Sequence, residues 1–282
     1  MIAYSTGAYD ILRENDLKDI DKQIQKSKEK GIENFAIGIY EDNLCQALGL
    51  NKPLKTIEDR MRIMEKIRGV DFVFSIPSLD EKIVREKIKE AFAEYSDNNK
   101  KTQSNQSQKK KYKLGYAPGT YDLFHAGHLE NLTIASKDCE KLVVGVKADE
   151  LVKRHKNKTP IISEEERMSI LRHFKFVYDV YIYYTRDLEI ANDYLKAKYN
   201  EPIEAIYLGS DLKNDFKDFN NLNIIYTDRD EQLMKERSTT AYSKKYKALS
   251  LKKSENVHLR GNAKPKDLSI KIVEEIEDKE ER

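Results

Sequence analysis

The sequence predicts an α/β fold: a parallel sheet with helices on both faces, preceded by a truncated, degenerate copy of the same arrangement. Three observations predict it. Short β-branched runs alternate with segments of helical period through the second half of the chain. The first part of the chain repeats landmarks of the second in the same order. Between them YSDNNKKTQSNQSQKKKYK, Tyr95 to Lys113, carries no pattern of buried residues.

The elements follow in order. YSTGAYD (4–10) matches YAPGTYD (116–122), and FAIGIYEDNL (35–44) matches LVVGVKADEL (142–151). KPLKTIEDRMRIMEKIRGVDFV (52–73) follows the logic of TPIISEEERMSILRHFKFVYDV (159–180). After DFVFSIPS the first copy adds one amphipathic helix, with Ile83, Val84, Ile88 and Phe92 on a stripe, and then stops. In the second copy YKLGYA, KLVVGV, DVYIYY, EAIYLG and NIIYT read as strands. LENLTIASKD, EEERMSILRHF and LEIANDYLKAKY, with apolar residues three or four apart, read as helices. This places a partial, non-catalytic domain at 1–95, a flexible polar linker at 96–112 and a complete domain at 113–250. A charged tail at 251–282 has Leu268, Ile272, Val273 and Ile276 spaced as a docking helix.

The bulk numbers exclude several classes of function. Fifty-one basic side chains against 49 acidic ones leave a formal net charge of +2, with no general pull towards nucleic acid or an anionic membrane. Cys45 and Cys139, the two cysteines, fit neither a disulfide framework nor a zinc-site spacing. Apolar runs are strand-sized, far below the roughly 20 residues that span a bilayer. MIAYSTGAYD has neither the basic start nor the apolar core of a secretion signal, so the cytoplasm is the expected compartment.

GTYDLFHAGH, from Gly119 to His128, follows the first strand of the second copy and holds two of the five histidines. His125 and His128 could bind a metal, cap a helix or hold phosphates. A zinc site needs further ligands, and no Cys, His or Glu cluster supplies them. A strand, a glycine turn and a helix starting near His128 would gather main-chain N–H groups and a positive dipole end at one point. There Gly119 would permit the turn, Gly127 would let a phosphate approach the backbone, and two imidazoles could stabilise charge developing at phosphorus. In the first copy Arg13 and Asp16 stand where the histidines would be.

GTYDLFHAGH resembles the HxGH element of the nucleotidyltransferase superfamily, and of the cytidylyltransferases in particular. KNKTPIISEEERM (156–168) looks like the family's basic loop and ER-containing helix, YLGSD (207–211) like its glycine-acid strand end, and RSTTAYSK (237–244) like its Ser-Thr segment. The resemblance covers roughly residues 112–248 and implies a Rossmann-like sheet. It implies transfer of CMP from CTP to a phosphorylated alcohol, with Mg²⁺ held mainly by the triphosphate and no metal ligands from the protein.

Roles carry over by position. His125 and His128 would contact the α- and β-phosphates, and Lys156 and Lys158 would clamp phosphate. Gly119, Thr120, Tyr121 and Asp122 would form the nucleotide-binding turn, Asp122 orienting it; Gly209 and Asp211 would lie beside the nucleotide. Ser238 and Thr239 would cap a helix whose N-terminus meets phosphate. Arg167 would face the substrate phosphate or brace the site. The family's arginine before Ser-Thr is replaced by Leu233; counted from Tyr226 it falls on Arg229, with Arg237 in reserve. Glycerol 3-phosphate is the favoured acceptor, with phosphoethanolamine or phosphocholine beside it. An adenylyltransferase or an inactive nucleotide-binding regulator are the alternatives. The resemblance also implies a homodimer.

Overall fold

The computed structural model describes residues 1–103, 109–209, 223–227, 239–254 and 271–273. The chain divides into two compact units, residues 1–107 with 249–282 and residues 108–248. In chain order the first unit begins with β1 (Ile2–Gly7), α1 (Glu14–Glu29), β2 (Asn34–Tyr40), α2 (Asp42–Ala47), α3 (Ile57–Met64), β3 (Phe72–Ile76) and α4 (Glu81–Gln103). The second holds β4 (Tyr112–Gly119), α5 (Ala126–Asp138), β5 (Cys139–Lys147), α6 (Asp149–Lys156), α7 (Glu164–Arg172), β6 (Asp179–Tyr183), α8 (Leu188–Tyr199), β7 (Ala205–Gly209) and β8 (Ile224–Thr227). Helix α9 (Thr239–Ser254) follows, and β9 (Lys271–Val273) belongs to the first unit.

The second unit is the expected parallel α/β sheet, in the order β6-β5-β4-β7-β8. The order reverses at β4, so the crevice outside its carboxyl end is the switch point where ligands of such sheets bind. Leu114, Tyr116, Val143, Ile206 and Leu208 of the sheet pack with Leu188, Ala191 and Leu195 of α8. Gly145 lies against the Tyr116 ring, and a Cβ there would come 2.3 Å from the Tyr116 hydroxyl oxygen. The five strands read from β-branched runs are all present. Among the described residues no helix is long and apolar enough to cross a membrane.

In the first unit the order is β3-β2-β1-β9, the first three strands parallel and β9 antiparallel to β1. This sheet corrects the expectation for the tail. Ile272 and Val273 form a strand, not part of a helix, with Val273 opposite Ile2; Leu268 and Ile276 lie outside the described residues. The physical reason is the open edge of β1. Among the described residues the first unit has no parallel counterpart of β7, and unpaired backbone groups on an edge take up a strand from elsewhere. Val273 also joins the core cluster of Ile2, Phe72 and Phe74. Val273→Asp should therefore cost the first unit at least about 2 kcal/mol, the scale of losing a buried valine, before any charge penalty. Calorimetry with an unchanged transition for that unit would show that β9 contributes nothing to it.

The linker is also corrected. Helix α4 runs through Gln103, well into the 96–112 stretch expected to be flexible. Phe92 and Tyr95 pack on Phe72, with ring centroids 5.7 and 5.5 Å away, and fix the preceding turns. Beyond them no Gly or Pro interrupts the run, and extending a nucleated helix costs little. Residues 104–108 lie outside the described residues.

Candidate active site

The turn that leaves β4 is strained and held from below. Tyr121 (φ 57°) and Leu123 (φ 48°) sit in the left-handed region, costly for non-glycine residues. Gly119, expected to take the tight conformation, has no positive φ. Its role is space: a Cβ would come 2.7 Å from the Tyr121 ring, whose hydroxyl donates to the Ala117 carbonyl at 3.0 Å. The Asp122 carboxylate accepts the main-chain N–H groups of Ile161 and Ile162, each at 3.0 Å, and so joins the turn to the segment entering α7.

Arg167 closes this frame. It is 1% exposed. Its guanidinium donates to the carbonyls of Thr120, Lys147 and Ile162 and pairs with Asp149. Of its two expected roles, these bonds fit the bracing one. The first unit repeats the frame position by position. Buried Arg60 donates to the carbonyls of Ala8, Tyr40 and Lys55 and pairs with Asp42, and Asp10 accepts the amides of Leu54 and Lys55. Burial lowers the Lys55 pKa from its ordinary value, with Asp10 and Asp59 opposing; Ile162 holds the matching place in the second unit.

The histidines sit on top of the frame. Helix α5 starts at Ala126, two residues earlier than expected, because His125 is its N-cap residue in extended conformation (φ −140°). That makes His128 the third helical residue, and the two rings stack with centroids 3.8 Å apart. His125 is buried, while half-buried His128 meets Tyr121 edge-on at 5.1 Å and Phe124 at 5.6 Å. No acidic residue occupies the first turn of α5. The first residue of α9 arrives at the same place: Thr239 Oγ1 lies 3.1 Å from His125 Nε2 and donates to the Asp122 carbonyl at 3.3 Å. The corresponding helix of the first unit is closed to anions. Arg13 is its N-cap residue, Asp16 accepts the Arg13 main-chain N–H at 3.1 Å, and Glu14 and Asp16 place negative charge in its first turn.

Comparison with known proteins decides the family. The family described as Cytidylyltransferase-like matches residues 116–256, half of the chain. The chain belongs to the cytidylyltransferase-like family. Among curated relatives, the probable ethanolamine-phosphate cytidylyltransferase of Encephalitozoon cuniculi is 34% identical over 79 residues, 28% of this chain and 24% of that protein. The FAD synthase of Pyrococcus horikoshii is 36% identical over 100 residues, 36% of this chain and 64% of that protein. The bifunctional protein HldE of Paramagnetospirillum magneticum is 42% identical over 64 residues, 22% of this chain and 13% of that protein. The chain thus spans less than two thirds of the length of each of these relatives.

In this cytidylyltransferase-like unit the other expected residues fall as follows. Thr120, Tyr121 and Asp122 lie in the turn itself. Lys156, expected in the basic loop, is the last residue of α6, and Asn157 leaves the helix in left-handed conformation (φ 47°). Exposed Lys158 follows, three residues before the Ile161 amide that Asp122 anchors. Gly209 ends β7 beside Thr227 of β8. Asp211, Arg229, Arg237 and Ser238 lie outside the described residues.

Sequence reasoning missed Asp149, Asn131, Thr227 and Tyr242. Thr227 donates to Asn131 of α5 at 2.8 Å, tying the strand ends to the helix that carries the histidines. Asp149 had a signal, since Asp42 stands at the matching place of the first copy. Among the described residues no three His, Cys, Asp or Glu side chains gather as a metal site. The imidazoles, amides and lysines of this region suit an anion.

Proposed function

We propose that the second unit is a nucleotidyltransferase that moves CMP from CTP to a phosphorylated alcohol, with glycerol 3-phosphate the favoured acceptor. The observation that carries this is the stacked pair at the start of α5, N-cap and third helical residue, at the sheet's switch point with no acid in the helix's first turn. A phosphate oxygen of the acceptor attacks the α-phosphorus, the bond to the β-phosphate oxygen breaks, and pyrophosphate leaves with the electron pair. No covalent intermediate on the protein is needed. Mg²⁺, carried on the triphosphate, would supply neutralisation of its charge.

The chain's own part is positioning and charge stabilisation. His125 and His128 contact the α- and β-phosphates and the charge that develops there. Exposed Lys156, at the end of α6, and Lys158, in the segment after it, close over the triphosphate. Thr120, Tyr121, Gly119 and Gly209 border the nucleotide, and Asp122 keeps the turn in register. Asp211, Arg229 and Ser238 keep their proposed places beside the nucleotide. The first unit, with Asp16 where His128 would be, is non-catalytic, and the two units descend from one duplicated domain. The enzyme works in the cytoplasm as a homodimer.

Adenylyl transfer is the second reading, favoured by the likeness to an FAD synthase. Pyrophosphate release from each of the four ribonucleoside triphosphates decides between them. Each is tested with Mg²⁺ against glycerol 3-phosphate, phosphoethanolamine, phosphocholine and flavin mononucleotide. CTP with a phosphorylated alcohol is the expected productive pair; ATP with the flavin would establish the second reading. Silence with every pair, from folded protein that still binds a nucleotide, would favour a regulatory protein.

A further inference from the structure

We propose that Thr239 is a positioning residue for His125: its hydroxyl oxygen accepts from Nε2 and so holds the imidazole in one orientation and in the tautomer that carries its proton on Nε2. The inference rests on the nucleotidyltransferase reading of the site for its consequence, not for its geometry.

Thr239 Oγ1 lies within hydrogen-bond distance of two groups, the Asp122 carbonyl oxygen at 3.3 Å and His125 Nε2 at 3.1 Å. A carbonyl oxygen can only accept, and a hydroxyl has one hydrogen to give. That hydrogen goes to Asp122, which leaves oxygen lone pairs facing Nε2. Nε2 must then carry a proton and donate it.

The arrangement is fixed from both sides. The Asp122 carboxylate is held by the Ile161 and Ile162 amides, and the neighbouring Thr120 carbonyl is held by Arg167. The His125 ring, 1% exposed, lies between the stacked His128 ring and Tyr242 of α9, 5.8 Å away. A 180° ring flip would bring carbon to the threonine oxygen and lose the bond. The chain therefore orients this histidine through a hydroxyl tied to main chain. In the other tautomer Nε2 would turn a lone pair towards the lone pairs of the threonine oxygen, and the bond that orients the ring would be lost. Thr239 thus acts on the chemistry through His125, and its own hydrogen is committed to Asp122.

Long-range ¹H–¹⁵N spectra of full-length protein labelled with [¹⁵N]histidine test this. Above the titration of the ring, His125 in the wild type should show protonated Nε2 and bare Nδ1, assigned by loss of the signal in His125→Gln. Thr239→Val removes the acceptor and should move population to the Nδ1–H form, while Thr239→Ser should keep the wild-type pattern. With a productive substrate pair, kcat should fall about 10- to 100-fold in Thr239→Val, the scale for losing the orienting partner of a functional imidazole. It should recover in Thr239→Ser, with KM for the nucleotide changed less than kcat. A wild-type tautomer in folded Thr239→Val would overturn the proposal, as would Nδ1–H in the wild type. If Thr239→Val does not fold, the wild-type and Thr239→Ser spectra still decide it. Absence of turnover with every substrate pair would sink the proposed function and leave the spectra as an independent test of the tautomer.

Discussion

His128→Ala should leave the second unit folded and lower kcat by at least about 100-fold, the scale for losing one pre-organised donor to developing charge. The geometry makes the effect large. His128 is the third helical residue of α5, half-buried against Tyr121 and Phe124, so its ring has little orientational freedom to lose on binding. It also supports His125 through a stack at 3.8 Å, and part of the loss should come from His125 becoming mobile. His128→Asn, which keeps a donor and a planar group, should recover part of the rate. A His128→Ala enzyme at wild-type kcat would remove the pair from the chemistry and return it to helix capping.

Arg167→Ala should destabilise the second unit by at least about 2 kcal/mol, the scale of leaving buried carbonyls without their donor. It leaves three carbonyls and Asp149 without the guanidinium that serves them. Arg167→Lys should rescue little, because one ammonium cannot reproduce a planar fork that reaches four acceptors. Arg60→Ala should be as costly to the first unit, since its bonds are the same ones. Denaturant unfolding of each protein measures this. The opposite pattern, unchanged stability of Arg167→Ala with a raised KM for the acceptor, would restore the substrate-facing role.

These two predictions rest on a contrast between the halves of the chain. Asp10 and Asp122, Asp42 and Asp149, and Arg60 and Arg167 are identical at matching places and make matching bonds. Arg13 and Asp16 differ from His125 and His128. The residues of the frame are thus shared by both halves, and the histidine pair is not. Arg167 was legible as important with two roles open, because sequence cannot show what a guanidinium is buried against.

Local pattern settled much of the molecule. The five strands and helices α5, α7 and α8 of the second unit followed from β-branched runs and helical spacing, because each element's own residues carry that signal. The histidine pair was legible because HxGH spacing puts both side chains on one turn of helix. Other features depended on partners far away in sequence. Ile272 and Val273 fit a helix by spacing and form a strand because β1 offers an open edge about 270 residues earlier. Ser96–Gln103 looks unstructured by composition and is helical because Phe92 and Tyr95 are anchored on Phe72. Gly119 was assigned a backbone role, and the structure gives it a packing one beneath Tyr121. Thr239 was read as a helix cap and proves to bond His125, 114 residues away. The sequence by itself determined which elements exist and which residue types could hold a phosphate. The tertiary structure alone decided which edges are paired, where each buried charge makes its bonds, and which hydroxyl holds the histidine, because those depend on groups brought together only by folding.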